Sequence, residues 1–153
     1  MTTTTRPLNV VTNVQRYGSV VGQPSPDRAL RIGKAIKTII AADGNASEAE
    51  MTAFADLAVQ FGAAEHFAAL AAYDPRTGSL EALLEGLGDG ALSRRMLYDA
   101  IAISSIDGYA DAERAAVHKA AVVLRIDAAT VALLEGLVVA EAGLGAIRAK
   151  LLG

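Results

Sequence analysis

A chain of 153 residues is long enough for one domain with a sizeable core, and 52% of its residues are hydrophobic. Only 5% are aromatic and none is Trp, so the core must be built from Ala, Leu, Ile and Val, which suits close helix packing better than a β-sandwich. The net charge of −3 argues against nucleic acid as a partner, and the absence of Cys excludes a disulfide framework and a thiolate zinc site.

Residues 1–7 are polar and lack the apolar centre of a signal peptide; they are expected to form a disordered tail, with residues 8–153 as a single domain. Between Leu8 and Val21, Val10, Val14 and Tyr17 fit helical spacing, which predicts a short helix. The most apolar long window, residues 120–140, carries Arg125, Asp127 and Glu135, charges too costly for a bilayer span without partners. No transmembrane segment is therefore expected, and the protein reads as cytoplasmic.

Gly22-Gln23-Pro24 breaks the chain. Ser25 then caps a helix with Pro26 in its first turn, where the missing N–H costs nothing. Ile32, Ile36, Ile39 and Ile40 form its apolar face. Asp43-Gly44 ends it, and Ser47 with Glu50 is a capping box for the next helix, whose face is Met51, Phe54, Ala58 and Phe61. A further helix is expected over about residues 63–72, a turn at Tyr73 to Gly78, and a short helix capped by Ser79.

The pattern then repeats. Asp107-Gly108 follows Asp43-Gly44 at an offset of 64 residues, and Asp89 stands at the same offset from Ser25. Leu92, Met96, Ala100 and Ile103 line one helix; Asp111 takes the cap position of Ser47; Val117, Ala120, Ala121 and Leu124 line the next helix. Asp127 caps a helix bearing Val131, Leu134 and Val138, and Gly143 with Gly145 marks a joint before a last short helix. The expectation is an all-α compact bundle of about seven to eight helices, with repeats at about residues 25–72 and 89–138.

Residues Ala42-Asp43-Gly44-Asn45-Ala46-Ser47-Glu48-Ala49-Glu50 resemble the signature of the TerB-like tellurite-resistance domain, and Asp107-Gly108 with Asp111 and Glu113 resembles that family's internal duplication. The resemblance covers roughly residues 26–140. It implies an all-α fold, a non-enzymatic stress-response role and an acidic cluster that binds a metal cation. It also implies a protein partner, at a membrane surface for some members. Carried over by position, the cluster is Asp43, Glu50, Asp107, Asp111 and Glu113, all oxygen donors of the kind Ca²⁺ or Mg²⁺ prefers. Two departures stand out: Arg114 occupies the position of Glu50 in the second motif, and Ser47 is a neutral cap where the second motif has Asp111.

The same residues also do what any helix junction needs, with Asp or Ser at the cap and Glu in the first turn. A metal-independent interaction scaffold, a homo-oligomer and an enzyme of unrecognised type therefore stay open. An EF-hand is excluded, because Gly follows the first Asp at once. His66 and His118 lack ligand spacing, no Gly-x-Ser-x-Gly elbow exists, and Gly86 to Gly90 has no P-loop Lys. Arg76, Arg94 and Arg95 read as solvated surface.

Overall fold

The computed structural model describes residues 24–60 and 64–153; the expected tail, the helix at residues 8–21 and Phe61 lie outside the described residues. The described residues form seven α-helices: α1 Pro26–Ile40, α2 Glu48–Gln60, α3 Phe67–Ala72, α4 Leu80–Leu84, α5 Ala91–Ser104, α6 Asp111–Leu124 and α7 Ala128–Leu152. Among the described residues three 3₁₀ turns, Ala64–His66, Pro75–Thr77 and Ser105–Asp107, join them and no strand occurs.

Helix α1 starts as its sequence requires, with the Ser25 hydroxyl accepting from Arg28 N and Pro26 in the first turn. Its isoleucines are buried with Ala29, Gly33 and Ala35. Gly33 permits a close approach: a Cβ there would lie 2.8 Å from Leu70 Cδ2 of α3. Two α1 cations then close the ends of short helices. Lys37 Nζ donates to the carbonyls of Leu70, Ala71 and Tyr73, each at 2.8 Å, at the end of α3. Arg31 donates to the carbonyls of Leu83, at 2.9 Å, and Glu85 at the end of α4. Helix C-termini leave four carbonyls without intrahelical partners, and α3 and α4 are too short to hold without such help.

Helix α5 is the axis of the bundle. Every residue from Arg95 to Ser104 is buried, and α1, α6 and α7 pack around it. Within it Ala100 and Ala102 are small side chains that let helices approach closely, and Ile101 and Ile103 fill the core between them. One contiguous core joins α1, α2, α3 through Leu70, α4, α5, α6 and the first half of α7.

The fold departs from the sequence expectations at four places. Asp89 does not cap α5: Gly90 does, without a side-chain bond, and Asp89 pairs with Arg94 at 2.8 Å instead. Asp111 is not the cap of α6 but its first residue; the cap is Ala110. Arg95 is not solvated but buried against Asp99. Gly143 and Gly145 do not break the chain, and α7 runs unbroken for 25 residues. A helical glycine costs about 1 kcal/mol relative to alanine, too little to stop a helix whose other residues are mostly Ala and Leu. As one helix, α7 is long and apolar enough to cross a membrane by length and composition.

Candidate functional site

The two Asp-Gly junctions lie side by side. In the first, α1 ends at Ile40, the chain turns through Ala41 to Gly44, and Ser47 caps α2. Glu50 completes the box: its Oε2 accepts from Ser47 N at 2.9 Å while Ser47 Oγ accepts from Glu50 N at 3.2 Å. In the second, Glu113 Oε1 accepts from Ala110 N at 2.9 Å, which is half of the same box, since alanine has no oxygen to return the bond. Gly44 and Gly108 hold φ of 130° and 99°, a region that favours glycine.

Glu113, and not Arg114, is therefore the counterpart of Glu50. The loop from Asp107 to its cap is one residue shorter than the loop from Asp43, so the 64-residue offset holds at the two aspartates and becomes 63 at the glutamates. The apparent mismatch in the second motif disappears. Reading glutamate at the third helical position as the marker, whatever the cap residue, would have found this from sequence.

A bond crosses between the junctions: Ser47 Oγ donates to Asp107 Oδ2. Behind it, Glu50 and Glu113 are 4% and 0% exposed. Burial pushes Glu50 above the ordinary carboxylate range; the Ser47 N–H pulls back, and Glu113, Asp107 and Asp43 push further. Burial likewise raises Glu113, opposed by the Ala110 N–H and the Ser104 hydroxyl and reinforced by Asp43 and Asp107. Neither Glu113 Oε2 nor Ser104 Oγ makes a hydrogen bond of ordinary geometry, although both are buried. Asp43, Glu50, Asp107 and Glu113 thus share one electrostatic environment. Asp111 is exposed at the start of α6 and does not figure among the charges acting on either glutamate.

The donor chemistry suits a hard cation, with four carboxylates and two serine hydroxyls, all oxygen. Among the described residues, however, no set of three or more Asp, Glu or His side chains stands ready to hold a metal. An open cavity of about 720 Å³ lies between Ser79, Glu85, Gly88, Val123 and Arg125 and includes none of the junction acids.

The raised glutamates give a pH prediction. A carboxyl whose folded pKa exceeds its unfolded value stabilises most below the unfolded value, about 4.3, and that contribution is lost as pH rises through the folded value. Replacing both, Glu50→Gln with Glu113→Gln, keeps an acceptor for each N–H but removes the charge. Urea midpoints from acid to neutral pH should then fall less steeply than in the wild type. Equal slopes would contradict the burial and mutual repulsion of the pair.

The seven α-helices of the described residues, with buried α5 at their centre and two Asp-Gly junctions set together, give the chain the TerB-like all-α fold expected from its sequence. No protein-family model matches it, and no curated protein does. Among solved structures it is similar to a tellurite resistance protein from Nostoc punctiforme, at 26% identity and a TM-score of 0.72, over 96% of this chain and 93% of that one.

Proposed function

We propose that the chain is a non-enzymatic stress-response module, with a role like that of the tellurite resistance protein it resembles, and that the acidic junction is its working part. Asp43, Glu50, Asp107 and Glu113 would take up a divalent cation, Ca²⁺ or Mg²⁺, and the bundle serves as a rigid holder. The supporting observation is that two glutamates, raised first by burial at the facing junctions, are each pushed further by the same two aspartates, and a bound cation would supply the charge that relieves this repulsion. Asp111 has a peripheral place in this reading.

A second reading is favoured by a different observation: Glu50 and Glu113 already serve as caps, and no three acids are arranged for a metal. In that reading the junction is a metal-independent acidic surface for a protein partner with a basic segment.

Thermal melting separates the two. A ligand specific to the native state adds about 2.7 kcal/mol at a hundredfold excess over its Kd, which for a chain of this size raises Tm by roughly 5–10 °C. The cation reading expects such a rise in Ca²⁺ or Mg²⁺, reversed by EDTA and absent from the double variant Asp43→Ala, Asp107→Ala, whose helicity stays near wild type. A Tm indifferent to both cations and to EDTA leaves the scaffold reading.

A further inference from the structure

Helix α7 has two apolar faces. Val131 and Val138, with half-buried Leu134, pack on the bundle. The opposite face carries Leu133, Leu137, Ala140, Leu144, Ile147 and Leu151, whose spacings of 4, 3, 4, 3 and 4 follow the heptad pattern of a helix-pairing seam. These side chains are exposed: Leu133 by 74%, Leu144 by 66%, Ile147 by 56% and Leu151 by 74%. Beside them, added Cβ atoms at Gly136 and Gly143 would meet nothing within 4 Å, so a second backbone can come close.

We propose that this seam is covered by α7 of a second copy of the chain, packed antiparallel. Area argues for a copy. The six seam residues expose on the order of 600 Å² per chain, so a symmetric pair that covers them together with their flanking residues buries about 1,200 Å², the lower bound for a specific stable interface. The seam is also complementary to itself. Reversed about its midpoint, it sets Leu133 beside Leu151, Leu137 beside Ile147 and Ala140 beside Leu144, so every layer joins one position of each heptad class. A two-fold axis closes such a contact without leaving a free patch. Charge selects the antiparallel sense. Arg148 and Lys150 lie near the C-terminal end; parallel helices would stack them on their counterparts, and antiparallel helices separate them and oppose the helix dipoles.

Lipid suits the helix less well. Glu135 is held by Arg114 at 3.4 Å and His118 at 3.7 Å, and Tyr98 donates to Glu141 at 2.5 Å, so polar contacts fix α7 to α5 and α6 along half its length. A span would have to break these contacts and bury both carboxylates.

The test is sedimentation velocity on the full chain over roughly 5–200 μM, with cross-linking. The wild type should show a concentration-dependent dimer that is lost in Leu144→Lys, at an exposed site where helicity stays unchanged. The chain has no Cys, so single replacements report position cleanly. A bismaleimide linker should join the Leu133→Cys chain to the Leu151→Cys chain in a mixture, and neither to itself. A monomer throughout the range, a dimer indifferent to Leu144→Lys, or self-linking alone would overturn the proposal. So would a monomer that binds phosphatidylcholine–phosphatidylglycerol vesicles through the same residues.

Discussion

Asp99→Ala is expected to destabilise the fold by about 3 kcal/mol, the lower end of what breaking a buried ion pair costs. Arg95 Nε donates to Asp99 Oδ2 at 3.2 Å, one turn apart on α5, with the two side chains 6% and 0% exposed. Removing the carboxylate leaves the guanidinium in the core without this counter-charge and opens a small void on the helix every neighbour packs against. Burial pushes Asp99 up to about 7, with Arg95 pulling the other way. Its folded value therefore lies above its unfolded value of about 3.9, so its contribution to stability is greatest below about pH 4 and declines toward pH 7. Asp99→Asn resembles the protonated acid. It should cost well under half as much as alanine near neutral pH and flatten that decline. Urea unfolding at pH 5 and pH 7.5 checks both; an alanine cost below 1 kcal/mol at either pH would contradict the burial of the pair.

Lys37→Met should cost a similar amount, about 3 kcal/mol, through a different mechanism. All three ammonium donors are used, on three carbonyls at the end of α3. Hydrogen bonds to a charged group contribute about 1.5–3 kcal/mol each and do not add in full. Methionine fills the space of the stem and supplies no donor. Arginine should fail as well, because its planar fork cannot point at three carbonyls converging on one atom. The expected fall in Tm is roughly 6–12 °C, with hydrogen exchange fastest in α3. A fall of less than 2 °C would show that water replaces the ammonium at little cost.

The long-range partners of the α1 cations and the burial of Arg95 leave no local signal in the sequence. The bundle was legible because its signals are local: Ser25 and Pro26 start α1, Ser47 with Glu50 starts α2, Asp127 starts α7, and isoleucine spacing fixes the buried face of α1. Lys37 and Arg31 belong to the same sequence, but their partners are carbonyls 33 to 54 residues away, and no periodicity reports such a contact. Arg95 looked like surface because its neighbour Arg94 is surface; only the packing of three helices around α5 turns it inward.

The acidic junction was half legible. The two Asp-Gly pairs announced it, and four of the acids the resemblance implied, Asp43, Glu50, Asp107 and Glu113, act on one another across the junction, while Asp111 stands apart. Cap rules that demand a polar residue at the cap placed it at Asp111, although Ala110 holds that place with only the Glu113 back-bond. That one-residue shift concealed the pairing of Glu50 with Glu113. The bond from Ser47 to Asp107 was beyond reach, since it depends on how two junctions 60 residues apart come to face each other.

The claim on which the functional reading rests is that these two junctions act as one charge-coupled centre. Its most direct test is to follow the side-chain carboxyl carbon signals of Glu50 and Glu113 by NMR at neutral pH while adding Mg²⁺ and then Ca²⁺. Both signals should move together and saturate with one affinity, and Asp43→Ala with Asp107→Ala should abolish the response. Signals that stay fixed through millimolar cation, or that saturate with the same affinity in the double variant, would contradict it.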